Sequence, residues 1–372
     1  LPKKYWSYFL VSYLIKVLLT ILVSSIIILI WNSELIPTNP DQTWYIETAK
    51  TISDELTIGH SPDYNDIIVL HNRSYNIILG WLTYLNGGII SIFSFRLLNC
   101  LFSMGIAIIG FYMSRKLYPE ESLLHCYTLI ILLFLPSINV YSMFVLRDIL
   151  IAFIVIVFFY GIITNNPIWI IVSMIAGYYT RAQILLVMAA VIVIHLLITK
   201  KIFQKEKFSI IKLIVAIILG VGIAVLMIAY IFPSYAYMLT MLESKNLVKL
   251  LSQFIISLFS LDFLFVDLSG PNVLSRESLT LSRIIMFDSI LLPFLLLLMF
   301  IRHKKYFRKY PALQISGFDL IITMLFYFAG YWTEYGLTFL RLFLPFYPIM
   351  LVLVTPIIRD IFGKGFKELI IK

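Results

Sequence analysis

Apolar runs of about 18 residues or more recur along this whole chain, and that is the length a helix needs to cross the hydrocarbon core of a bilayer. Of 372 residues, 61% are hydrophobic and only 13% are charged. A soluble domain is nearer half apolar and a quarter charged. A protein core cannot bury this much apolar surface, whereas lipid can. The expected fold is therefore all-α, a polytopic transmembrane helix bundle forming one integral membrane domain over 1–372.

Ten spans are expected, at 8–31, 95–113, 123–141, 146–163, 167–181, 183–199, 210–232, 284–301, 316–334 and 337–357. Basic residues test that count, because cytoplasmic loops carry an excess of Lys and Arg. Lys3 and Lys4 precede the first span. Arg115 and Lys116 follow the second, and Lys200, Lys201, Lys205 and Lys207 follow the sixth. Arg302 to Lys309 follow the eighth, and Arg359, Lys364 and Lys367 follow the tenth. All of these fall on one side, which puts both termini in the cytoplasm. The net charge of +9 thus belongs to membrane-flanking loops rather than to nucleic-acid binding. The run 8–31 is too long for a signal-peptide core and reads as a retained span.

The segment 75–93 is apolar enough to be taken for a span, but counting it would invert every later cluster. It is expected to be a helix in the outer interface, or re-entrant, with Tyr75, Trp81, Tyr84 and Phe93 at headgroup depth. Two long extracytoplasmic loops follow from this topology. The first, 32–94, carries interfacial helices, one of them amphipathic over 41–56 after the Asn39-Pro40-Asp41 turn. The second, 233–282, contains an apolar piece at 254–266 that is too short to span.

The charges outside the basic clusters gather at the extracytoplasmic face rather than at the midplane. Arg147, Arg181 and Arg341 lie at the outer ends of spans, against the positive-inside trend, and Arg73, His71, Arg96, Gln183 and Glu334 accompany them. A guanidinium there either snorkels, pairs with a neighbour (Arg147 with Asp148, Glu334 with Arg341), or serves a ligand. Three arginines converging on one face point to an anion-binding cavity, since guanidinium binds phosphate in a bidentate manner. Asp41 stands at the mouth of that cavity, as a general base for an attacking hydroxyl, as an N-cap, or both. Asp63 and Asp66 sit in a polar turn; a divalent cation there is possible, but a hydrated turn accounts for them. His195 lies in a span as a structural histidine. No metal-ligand spacing, phosphate-cradling glycine loop or nucleophile elbow is present, and Cys100 and Cys126 do not suggest a disulfide.

Several stretches resemble the GT-C superfamily of membrane glycosyltransferases. These are Asn-Pro-Asp-Gln-Thr-Trp-Tyr at 39–45, Phe-Arg-Leu-Leu-Asn at 95–99 closing an interfacial helix, and Leu-Pro-Ser at 135–137. Phe-Val-Leu-Arg-Asp-Ile-Leu at 144–150 and Arg-Leu-Phe-Leu-Pro-Phe-Tyr-Pro at 341–348 complete the set. The chain departs from that family in having Asp41-Gln42 where an acidic pair is frequent, and Asn72-Arg73-Ser74-Tyr75 before the interfacial helix. The short chain also resembles polysaccharide repeat-unit polymerases of the O-antigen and capsule type.

The resemblance implies transfer of a sugar, or a preassembled glycan, from a polyprenyl-phosphate or -diphosphate donor to a glycan or lipid acceptor at the extracytoplasmic face of a bacterial plasma membrane. Asp41 would be the base, with Glu47 or Asp148 in reserve. Arg147, Arg181 and Arg341 would neutralise the leaving phosphate. No cofactor is required in this scheme. The rival from another class is a transporter or lipid-linked oligosaccharide flippase, which is expected to show midplane charges and broken helices; a non-catalytic scaffold is the third.

Overall fold

The computed structural model describes residues 3–35, 40–60, 62, 73–199, 247–259, 284–335 and 343–371. In chain order the helices are α1 (Trp6–Trp31), α2 (Pro40–Ile58), α3 (Arg73–Leu85), α4 (Ile92–Leu117), α5 (Ser122–Leu133), α6 (Pro136–Ser142) and α7 (Asp148–Thr164). Then come α8 (Pro167–Thr180), α9 (Ala182–Thr199), α10 (Leu247–Leu258), α11 (Asp288–Ile301), α12 (His303–Lys309), α13 (Pro311–Tyr335) and α14 (Tyr347–Ile371). There is no strand among the described residues.

Among the described residues, helices fall on the expected spans; 210–232 and the first part of 337–357, up to 342, lie outside them. Five stretches are long and apolar enough to cross a membrane: Trp6–Trp31, Ile92–Leu117, Ser122–Ser142, Pro311–Phe328 and Leu344–Ile361. They mark the chain as an integral membrane protein. Four further apolar helices are shorter, at 10–17 residues. The sequence shows what cuts two of them short. Asn165 ends α7 in the left-handed region at φ 51°, Asn166 caps the next helix through the Ile168 N–H, and Pro167 takes its first turn. At Gly161 a Cβ would meet the Ile170 nitrogen at 2.9 Å, so only glycine lets the two helices turn this closely.

Two local expectations change. The segment 75–93 is not one helix: α3 stops at Leu85, Gly87 and Gly88 turn the chain at φ 70° and 80°, and Ser91 caps α4 by accepting the Ser94 N–H. Phe-Arg-Leu-Leu-Asn at 95–99 therefore opens a membrane-length helix instead of closing an interfacial one. The expected span 123–141 is broken at Phe134-Leu135, because Pro136 cannot donate to the turn before it and starts α6.

α4 is the spine, packed against α1, α5, α6, α7 and α14. Its contacts fix the directions. Tyr5 meets Phe111, Thr20 meets Cys100 and Ser24 meets Arg96, so α1 runs antiparallel to α4. Asn99 bonds the Leu146 carbonyl, and Phe153 lies against Gly105, so α7 runs parallel to it. Tyr118 Oη donates to the Val352 and Leu353 carbonyls on α14; Glu121, at the start of α5, meets Arg359, and further along Thr128 meets Thr355, so α5 opposes α14. The bundle thus has two ends. At one, α1 finishes and α4 and α7 begin; at the other, α4 finishes and α5 begins. Only 17% of the membrane-length window of α1 is buried, against 78% for that of α14, so α1 is peripheral and α14 central.

Candidate functional site

The candidate site lies where α1 finishes, beneath the two helices of the first loop. α2 and α3 run side by side in the same direction. Tyr45 packs on Tyr75 with ring centroids 5.1 Å apart, and seven residues on, Ile52 fills the space over Gly80. The buried faces follow helical spacing, Tyr45, Ala49 and Ile52 on α2 against Tyr75, Leu79 and Gly80 on α3.

α3 docks this pair on the bundle at two points. Tyr75 Oη lies 3.2 Å from Asn99 Nδ2, which donates to the Phe144 and Leu146 carbonyls at 2.7 and 3.0 Å. The second of these carbonyls immediately precedes Arg147 and Asp148. Burial pushes the Tyr75 phenol well up; the Asn99 hydrogen bond opposes the shift, and Tyr45 and the Asp148 carboxylate add to it. One residue earlier, the Ser74 hydroxyl meets that of Thr180 at 2.6 Å, next to Arg181. Arg181 sits at the junction of α8 and α9, and its Nε donates to Gln183 Oε1 at 2.9 Å. α3 therefore ties the Arg147-Asp148 and Arg181-Gln183 corners to one layer, and all four side chains are at most 8% exposed.

The other expected residues sort as follows. Asp41 is half-buried in the first turn of α2, one turn before Tyr45, where a carboxylate also favours the helix N-terminus. Glu47 is exposed, pointing away from the face that holds Tyr45, so its position does not suit a base in this layer. Arg96 is only 1% exposed but is engaged: it donates to the Glu34 carbonyl at 2.7 Å and to the Ser24 hydroxyl, holding the end of α1. Arg73 begins α3 and Glu334 lies near the end of α13. His71, Arg341, Asp63 and Asp66 lie outside the described residues. His195 is held by Asp319 on α13, Nδ1 to Oδ2 at 2.7 Å, as a structural histidine should be. Cys100 and Cys126 are both buried and free.

Sequence reasoning missed two groups. Gln42, Ser53 and Asn76 are fully buried in the first-loop helices, yet their side-chain polar atoms have no hydrogen-bond partner among the described residues. Each such group costs roughly 1–3 kcal/mol if nothing satisfies it. Gln42 was legible only as a departure from an acidic pair. The second group lies inside the bundle. Ser12, Lys16 and Thr20 form a polar stripe on α1: Ser12 donates to Leu133 O, Lys16 to Asn139 Oδ1, and Thr20 touches Cys100. Asp288 on α11 accepts from the Ser137 N–H at 3.1 Å and from its hydroxyl, capping the broken α6. The signal was available, since a lone Lys or Asp inside an apolar span is a site hypothesis by default. It also corrects the expectation that charges gather at one face alone.

No family model, curated protein or solved structure matches this chain.

Proposed function

We propose that the protein is a membrane glycosyltransferase that moves a sugar or glycan unit from a polyprenyl-phosphate- or diphosphate-linked donor to an acceptor. The loop end of the bundle would face away from the cytoplasm, in a plasma membrane. The observation that carries this reading is the joining of the Arg147-Asp148 and Arg181-Gln183 corners under the α2–α3 layer, at the end where Asp41 opens α2. Buried guanidinium groups at helix junctions suit a phosphate that gains charge as it leaves. The unsatisfied amides of Gln42 and Asn76 suit a hydroxyl-rich ligand.

In this reading Asp41 takes the proton from the acceptor hydroxyl as its oxygen bonds the anomeric carbon. The bond from that carbon to the phosphate oxygen breaks, and Arg147 and Arg181, with Arg341, hold the departing phosphate. Repeat-unit polymerisation uses the same chemistry with a longer donor. Transfer from a synthetic polyprenyl-linked sugar by purified protein tests the proposal: Asp41→Asn and Arg147→Ala should both lose most activity, and full activity in both removes it.

A transporter or flippase is the second reading, favoured by the break between α5 and α6 with Lys16 and Asp288 on the segment that follows it. Movement of a lipid-linked glycan across vesicles without covalent product would select it.

A further inference from the structure

At the opposite end of the bundle, the corner where α11 passes into α12 holds an open cavity of about 530 Å³ lined by Ile301, Arg302, His303 and Lys305. Its polar side chains differ in their engagements. Lys305 is tied to Asp360 at 2.7 Å. The Arg302 and His303 side chains are exposed and have no hydrogen-bond or ion-pair partner among the described residues. An apolar track leads to the same corner: Leu291, Phe294, Leu297 and Ile301 are 39%, 47%, 47% and 67% exposed and recur every three or four residues on one face of α11.

A cationic recess at the end of an exposed apolar helix face matches one kind of molecule, an anion carrying hydrocarbon chains. We propose that this corner binds an anionic phospholipid. The phosphodiester seats against Arg302 and His303, and the acyl chains lie along the α11 track. Guanidinium supplies two parallel donors to phosphate oxygens, and a basic recess beside a membrane helix gains from every anionic headgroup near it. A choline headgroup carries the same phosphate but brings a cation toward Lys305 and Arg302, so phosphatidylglycerol is preferred over phosphatidylcholine. Soluble glycerol phosphate has the anion without the chains and forfeits the track.

Native mass spectrometry of the purified full chain, titrated with phosphatidylglycerol or phosphatidylcholine, tests this. Wild type should hold one phosphatidylglycerol more tightly than the rest, and more tightly than any phosphatidylcholine. The double variant Arg302→Ala, His303→Ala should weaken that binding by about fivefold or more. Lys116→Ala, an exposed cation on α4, should leave it unchanged. If the double variant does not fold, Leu297→Ser carries the test, weakening binding several-fold with every charge kept. Equal binding of the two lipids, equal loss in Lys116→Ala, or competition by glycerol phosphate at lipid-like concentrations would each overturn the proposal.

Discussion

The two ends of the bundle handle charge in opposite ways. At the basic end the charges are at or near the surface, and several of them pair. Glu121 meets Lys309 and Arg359, the latter at 2.9 Å, and Asp360 meets Arg359 and Lys305 at 3.0 and 2.7 Å. At the loop end, Arg96, Arg147 and Arg181 are between 1% and 8% exposed. Exposed pairs contribute little, about 0–1 kcal/mol each. A guanidinium withdrawn from water costs several times that unless its surroundings compensate it. The ion pairs of the basic end are thus explained by solvation and topology, whereas the cations of the loop end are held inside the protein at a greater cost.

The sharpest way to break this contrast is to remove one cation from each end. Arg147→Ala should lower glycan transfer by about a hundredfold or more, as loss of a charge-stabilising donor does. Lys309→Ala should change it less than about twofold. Equal losses would show that both ends act only through stability.

A second comparison sits between the ends, at Lys16. Asn139→Ala leaves the buried ammonium without its amide acceptor and should destabilise by about 3 kcal/mol, whereas Lys16→Met removes the charge and should cost less. Thermal unfolding in detergent ranks the two; the reverse order would mean that Lys16 is compensated by something other than Asn139.

Gln42→Leu separates function from stability at the loop end. Replacing an unsatisfied amide with an apolar side chain should leave stability unchanged or raise it by about 1 kcal/mol, while lowering transfer. Unfolding and transfer measured on one preparation decide it, and loss of both would show that Gln42 is structural.

The smallest effect is expected at Glu121. The Lys309 hydrogen bond holds its carboxyl below the ordinary value of 4.5; burial opposes the shift, and Tyr310 and Arg359 add to the lowering. A depressed carboxyl stabilises the fold above its unfolded pKa, and that contribution disappears as pH falls through the folded value. Unfolding followed from pH 7 downward should therefore show the difference between wild type and Glu121→Gln shrink once pH passes below 4.5 and vanish as the folded carboxyl is protonated, with about 1 kcal/mol or less at stake.

How much of this was legible in sequence follows from the kind of signal each feature gives. Both ends could be told apart because basic clusters and lone arginines are composition facts at known positions along apolar runs. The start of α2 was written in Asn39-Pro40-Asp41, which is local backbone chemistry, whereas the turn signal of Gly87-Gly88 was outweighed by the apolar residues around it, which read as one helix over 75–93. The layer over the site was not legible, because Tyr45 meeting Tyr75 and Ser74 meeting Thr180 are contacts between distant segments. The break after Phe134 was visible as Pro136, but the apolar residues on both sides read as one span. Lys16 and Asp288 were hidden by their settings, each a single polar group in an apolar run whose partner lies more than 100 residues away.

Sidedness carries the whole account, and impermeant-maleimide labelling of intact cells measures it directly. Cys100 and Cys126 are buried, so single cysteines introduced at exposed Glu47 and exposed Arg308 report cleanly. Glu47→Cys should label from outside, and Arg308→Cys only after permeabilisation. Labelling of Arg308→Cys in intact cells, with Glu47→Cys protected, would put the buried arginines on the cytoplasmic side and contradict the account.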